Sequence, residues 1–121
     1  MKMPKIKQRQ NKYNAQRTIV DSIAFHSKAE SNRYKILKLL ENAGHIRDLK
    51  LQASMPFVYN GIRMFTYYAD FTYYSDGIFV VEDVKGMRTP LYKLKKKMIE
   101  VYYGIKITEI KHSYENFKRK R

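Results

Sequence analysis

The chain of 121 residues contains no cysteine and no tryptophan, and only three histidines and three prolines. Without cysteine it can form neither disulfides nor thiolate metal sites, and a cysteine nucleophile is excluded. Its histidines, His26, His45 and His112, are too scattered to indicate a zinc site. No stretch approaches the roughly 20 apolar residues of a membrane span, and the first residues lack the apolar core of a secretory signal. We therefore expect an intracellular, cytoplasmic protein.

Acidic residues are scarce relative to basic ones. The chain has 11 Asp and Glu against 25 Lys and Arg, a formal net charge of +14. This excess favours polyanionic partners, and nucleic acid is the first candidate because neutralising phosphates releases counterions. An anionic membrane surface and an acidic protein are the alternatives. The 11 tyrosines could stack on bases or fill a core.

The length predicts one domain, and the composition predicts a basic segment at each end of it. Residues 1–17 carry six basic side chains and few large apolar ones, so we expect a flexible basic N-terminal arm. Residues 113–121 form a similar basic C-terminal tail. The folded domain is therefore expected over residues 18–112.

Hydrophobic spacing and turn residues predict the order helix, strand, strand, strand, helix, strand. A capping box opens the first helix, expected over about 27–43, and Pro90 opens the second, which Gly104 ends. The first strand is expected over about 46–52, and Pro56 interrupts any continuation of it. Further strands are expected over 63–74, 78–85 and 105–110, with a turn at Ser75-Asp76-Gly77 between the second and the third. The fold class is thus α/β, with an αβββαβ order and a central mixed sheet flanked by helices.

Two acids face each other across the predicted hairpin. A two-residue turn at Asp76-Gly77 places Asp70 opposite Asp83, and alternation places Lys85 on the same face as Asp83. Facing carboxylates repel unless a cation lies between them or one is protonated. Hard oxygen ligands suit Mg²⁺, with Mn²⁺ as a substitute, and a neighbouring lysine could orient or help deprotonate a water that attacks a phosphate.

Two glutamates, Glu30 and Glu82, leave alternatives open. Glu30 borders the core-facing stripe of the first helix and is a candidate third ligand, but it could serve only as the capping partner of Ser27. Glu82 competes with Asp83 because both adjoin Lys85. Alternation favours Asp83, whereas a bulge would favour Glu82. A simple exposed ion pair of Asp83 and Lys85 is less compatible with the apolar run that precedes them.

The ordered set of charged residues resembles the PD-(D/E)XK nuclease superfamily, in particular small phage-type endonucleases and Holliday junction resolvases. The resemblance covers about residues 19–110 and implies a restriction-endonuclease-like core. It is carried by Glu30 in SKAE, then Asp70, then Asp83-Val84-Lys85-Gly86 after a gap of twelve residues. It implies that Asp70 and Asp83 are the motif acids, that Lys85 is the motif lysine, and that Gln52 matches a glutamine at the end of the intervening strand. Ala69 stands where the name-giving motif has proline.

This resemblance implies a Mg²⁺-dependent DNA endonuclease of phage DNA recombination or processing, leaving 5′-phosphate and 3′-hydroxyl ends. Because the domain is small and has no helix-turn-helix or zinc module, we expect it to recognise branched DNA rather than a base sequence. Resolvases of this superfamily act as dimers, so the resemblance also implies a homodimer. The expected DNA contacts are Lys93, Lys96 and Lys97 on the second helix, with Lys12 and Arg17 in the basic arm.

Other functions stay open on sequence grounds. The chain could be a non-catalytic DNA-binding module on a nuclease fold, although such a module predicts a degraded motif. It could also be a nicking, restriction-like, exonucleolytic or RNA-directed nuclease. The lysines of the second helix are equally compatible with a solvated face, and Gln52 with a plain strand-end hydrogen bond.

Overall fold

The structure, a computed structural model, describes residues 18–85 and 87–111. The elements are β1 (Thr18–Val20), β2 (Ile23–Phe25), α1 (Lys28–Asn42), β3 (Arg47–Tyr59), β4 (Ile62–Ser75), β5 (Ile78–Lys85), α2 (Pro90–Tyr103) and β6 (Ile107–Lys111). The protein is α/β, and the predicted αβββαβ order is confirmed, preceded by a β1–β2 hairpin that the sequence interpretation missed. The basic arm and the C-terminal tail lie outside the described residues. Neither helix of the described part is long and apolar enough to cross a membrane.

The main sheet has the strand order β3-β4-β5-β6. Its first three strands are antiparallel, and β6 pairs with β5 in parallel through the crossover helix α2, so the sheet is mixed as predicted. The β4–β5 turn has positive φ at both Asp76 and Gly77, and Ser75 pairs with Ile78. The predicted hairpin register is therefore confirmed.

The third strand is longer than predicted. It continues past Pro56, which pairs with Thr66, to a second two-residue turn at Asn60-Gly61, with φ values of 51° and 76°. Proline is tolerated there because β3 lies at the edge of the sheet and one side of it needs no ladder donor. The expected interruption at Pro56 is wrong, and the Asn-Gly pair is the sequence signal that could have corrected it.

Both helices begin and end where their capping residues predict. Ser27 Oγ accepts a hydrogen bond from the Glu30 amide at 3.1 Å at the start of α1. Thr89 Oγ1 accepts from the Tyr92 amide at 3.1 Å at the start of α2. Gly104 ends α2 with φ 66°, a conformation that glycine adopts without steric cost.

Two hydrophobic clusters lie on opposite faces of β5. The α1 cluster is Phe25, Tyr34, Leu37, Ile46, Phe71 and Tyr73, and the α2 cluster is Met55, Tyr67, Ala69, Val81, Ile99 and Ile107. On β5, Val80 and Val84 pack against the α1 cluster, whereas Val81 belongs to the α2 cluster. Alternation along β5 is thus regular.

In β3 and β4 the alternation of side chains between the two faces of the sheet reverses at the same level. Ala69 belongs to the α2 cluster and Phe71 to the α1 cluster, although residues two apart on a regular strand share a face. Likewise Leu51 packs against the α1 cluster while Met55 lies in the α2 cluster. Between them Gln52 has φ 51°, in the left-handed region. The irregularity therefore runs across both strands, at Gln52 and Asp70.

Candidate active site

The change of strand face brings Gln52, Asp70 and Glu30 together. Gln52 and Asp70 lie between the paired positions Leu51–Phe71 and Ala53–Ala69. Gln52 Nε2 donates to Asp70 Oδ1 at 3.0 Å and lies 3.5 Å from Glu30 Oε1, which is carried by the first turn of α1. A glutamine assigned only through a family resemblance thus contacts both carboxylates named beside it.

The two facing aspartates lie where the β4–β5 ladder ends, just beyond the Phe71–Glu82 pair. The Asp70 amide donates to Asp83 Oδ1 at 3.0 Å, and the Val84 amide donates to Asp70 Oδ2 at 2.9 Å. Side-chain oxygens therefore replace the main-chain acceptors of a regular ladder. These hydrogen bonds hold both carboxylates in place where the β4–β5 pairing ends.

One oxygen of this pair is buried and has no hydrogen-bond donor among residues 18–85 and 87–111. Asp83 is 1% exposed, and this oxygen is its Oδ2. Leaving a buried carboxylate oxygen unpaired costs free energy, so the site gains from a ligand that supplies positive charge or a proton. Burial accordingly raises the pKa of Asp83.

Glu30 responds to the same environment. It is 8% exposed, and burial together with the charge of Asp70 raises its pKa to about 7, against the lowering effects of Gln52 and Lys85. The charge of Asp83 contributes to this rise in pKa. The three carboxylates therefore belong to one electrostatic cluster, in which uptake of a cation would relieve repulsion.

The chemistry of these donors fits a divalent cation. Within residues 18–85 and 87–111, no group of three or more His, Cys, Asp or Glu side chains is arranged to hold a metal ion. Mg²⁺, however, takes one or two protein carboxylates and fills its other positions with water and substrate phosphate oxygens. Asp70 and Asp83 match that requirement, with the unpartnered Asp83 Oδ2 as the free donor. Glu30 as a third ligand stays a prediction.

Lys85 lies beside the carboxylates and against an aromatic ring. Its positive charge lowers the pKa of both Glu30 and Asp83. Its Nζ lies 4.5 Å from the ring centroid of Tyr92 in the first turn of α2. The Tyr92 hydroxyl donates to Glu109 Oε2 at 3.0 Å. The predicted lysine is thus placed near the predicted acids.

Sequence reasoning missed the residues that hold Tyr92 in place beside Lys85. Glu109 on β6 is the parallel-strand neighbour of Asp83, and Arg88 Nε pairs with Glu109 Oε2 at 3.0 Å. These contacts depend on the register of β6 against β5, which no local pattern encodes. The Thr89-Pro90 helix start does place Tyr92 in a first turn just beyond the motif, and this is the one signal the sequence offers.

Glu82 lies on the opposite face of β5 and makes a different set of contacts. Arg33 of α1 donates to both its carboxylate oxygens, at 2.8 and 2.7 Å, and the Tyr73 hydroxyl donates to Oε2. Since the β4–β5 pairs keep one register from Phe71–Glu82 to Ser75–Ile78, alternation holds here. Glu82 therefore pairs with α1, and Asp83 faces the acidic cluster.

The lysines predicted to contact DNA differ in solvent exposure and in their contacts within the protein. Lys93 and Lys97 are exposed on α2. Lys96 is engaged within the protein, because its Nζ lies 3.5 Å from Glu100 Oε2 and its side chain is only 17% exposed. Lys12 and Arg17 lie outside the described residues. Two of the five predicted contacts are therefore exposed lysines on α2.

Comparison with known families places the chain in one of them. Residues 10–118 match the family described as protein of unknown function (DUF1064), and because the match spans most of the chain, the protein belongs to that family. No curated protein and no solved structure matches the chain significantly.

Proposed function

We propose that this member of the DUF1064 family is a metal-dependent deoxyribonuclease of the PD-(D/E)XK type that hydrolyses phosphodiester bonds in branched DNA. The observation that supports it most is that five residues of the predicted motif set lie within hydrogen-bond or electrostatic reach of one another. These residues are Glu30, Gln52, Asp70, Asp83 and Lys85. Regular alternation of side chains along the strands would not bring all five together. The reversal of face at Gln52 and Asp70 is also required.

Each of these residues has a role that its contacts support. Asp70 and Asp83 would hold Mg²⁺ or Mn²⁺, with Glu30 adding a third carboxylate near the ion. When bound, the ion supplies Lewis acidity and lowers the pKa of its water. Gln52 orients Asp70 through the 3.0 Å hydrogen bond. Lys85 places positive charge beside the carboxylates, where it offsets the charge of a bound phosphate.

The charge distribution supports a nucleic-acid substrate. The net charge of +14 favours phosphate binding, and α2 presents Lys93 and Lys97 to solvent on the helix whose first turn contacts Lys85. We propose that DNA lies along this side, gripped further by Lys12 and Arg17. A homodimer making paired cuts at a Holliday junction, in phage DNA processing in the cytoplasm, is the form of the activity that we propose.

A cleavage assay tests the proposal. Matched four-way junction, flap, linear duplex, single-stranded DNA and RNA substrates are incubated with Mg²⁺, Mn²⁺ or EDTA. The protein should make paired cuts in the four-way junction with either Mg²⁺ or Mn²⁺, and no cuts with EDTA. Lys85→Ala should abolish cutting, whereas Lys35→Ala, which removes an exposed lysine of α1, should leave it unchanged.

Two results of this assay would contradict the proposal. Tight binding of junction DNA without any cutting would make the protein a binding module on a nuclease-like fold. Equal cutting of linear duplex and junction would retain the nuclease but reject its selectivity for branched DNA.

A further inference from the structure

The side chain of Lys85 is held by a ring rather than by a carboxylate. Among the ion pairs of the described residues Lys85 takes part in none, although its charge influences Glu30 and Asp83. Its ammonium instead lies over Tyr92, 4.5 Å from the ring centroid. An ammonium over an aromatic face is attracted by the ring quadrupole.

The ring that holds Lys85 is itself fixed at both ends. The Tyr92 amide donates to the N-cap oxygen of Thr89, which anchors the main chain in the first turn of α2. Its hydroxyl donates to Glu109, and Arg88 pairs with the same Glu109 oxygen. Glu109 in turn neighbours Asp83 in the parallel pairing of β5 and β6. The ring position is therefore tied to β6, the strand that pairs with β5 beside Asp83.

We infer that Tyr92 is a positioning residue that holds the Lys85 ammonium beside the acidic site, so that Lys85 forms no ion pair with a carboxylate of that site. Lysine is a point charge on a flexible four-carbon stem, so an unrestrained Lys85 could pair directly with Asp83 and occupy the oxygen that the ion needs. The ring face attracts the charge without adding a carboxylate, and the Tyr92 hydroxyl donates to Glu109. The ammonium thus stays available to a substrate phosphate. The catalytic part of this inference rests on the proposed nuclease function.

Two substitutions separate the ring from its hydroxyl. Tyr92→Phe keeps the ring face and loses the hydrogen bond to Glu109, whereas Tyr92→Leu removes the ring. Tyr92→Leu should lower kcat about tenfold, with KM and Mg²⁺ affinity unchanged, and Tyr92→Phe should stay within about threefold of wild type. Tyr92→Met serves as a second variant without the ring if Tyr92→Leu does not fold. An unchanged kcat in the variants without the ring would overturn the inference.

An activity-independent measurement tests the contact itself. Lysines are ¹³C-dimethylated, and the Lys85 signal is assigned by its loss in Lys85→Arg. In the protein without metal this signal should be shifted upfield by the ring current in wild type and Tyr92→Phe, and not in Tyr92→Leu. Absence of the shift in wild type would overturn the inference. A wild-type protein that shows the shift but cuts no nucleic acid would overturn the proposed function instead.

Discussion

The amide of Asp70 donates a hydrogen bond to the carboxylate of Asp83 at 3.0 Å, across the point where β4 and β5 stop pairing. The Val84 amide returns a bond to Asp70 at 2.9 Å. The two acids are thus held by the main chain of each other's strand, so the fold itself fixes their arrangement.

Replacing Asp83 should therefore separate chemistry from binding. In Asp83→Asn the side-chain oxygen can still accept from the Asp70 amide, but the charge that an ion needs is gone. We expect cleavage to fall by roughly 100-fold or more, because Asp83 is one of the two proposed metal ligands. Junction affinity, measured by fluorescence anisotropy in EDTA, should stay within a few fold of wild type. Full cleavage by this variant would remove Asp83 from the site.

The neighbouring residue should give the opposite result. Glu82→Gln breaks an ion pair in which Glu82 is 1% exposed, so we expect a loss of about 3 kcal/mol in the free energy of unfolding. Urea denaturation measures this loss, and cleavage per folded molecule should be retained. Glu82 would instead be the second motif acid if Glu82→Gln were stable and inactive while Asp83→Asn still cut DNA.

The pH dependence of ion binding should follow Glu30. Its pKa is raised from 4.5 to about 7 in the fold, so its contribution to stability is complete below pH 4.5 and is lost as the pH rises through 7. A divalent cation prefers the ionised carboxylate. The rise in thermal midpoint on adding Mg²⁺ should therefore be larger about one unit above the pKa than about one unit below it.

Glu30→Gln is the matched control for this dependence. It keeps the shape and the capping position of the side chain but cannot ionise. The difference in Mg²⁺ stabilisation between the two pH values should shrink in this variant. A difference as large as in wild type would mean that another group controls ion binding.

Salt dependence should identify which lysines contact phosphates. Lys93→Ala and Lys97→Ala should each lower the slope of log affinity against log salt by about one. Lys96→Ala provides the matched control on the same helix, since Lys96 pairs with Glu100. Equal slope changes for all three variants would show that Lys96 leaves Glu100 and contacts a DNA phosphate.

The hairpin register was predictable because an Asp-Gly turn fixes pairing locally, and this register brought Asp70 to Asp83. The Asn60-Gly61 turn carried the same kind of signal for β3. The reversal of strand face at Gln52 was not predictable, because a left-handed glutamine within a strand is set by packing against two separate clusters. The position of Tyr92 against Lys85 likewise depends on how α2 returns to the sheet.

The Asp76-Gly77 turn lies five residues from each aspartate, roughly 16 Å along the strands. If the loop keeps two residues, one extra residue at this tip would slip the pairing by one position and bring Glu82, rather than Asp83, opposite Asp70. Two extra residues, one added to each arm, would lengthen the hairpin and leave the acids facing. We therefore expect natural length variation at this distant tip to occur in steps of two.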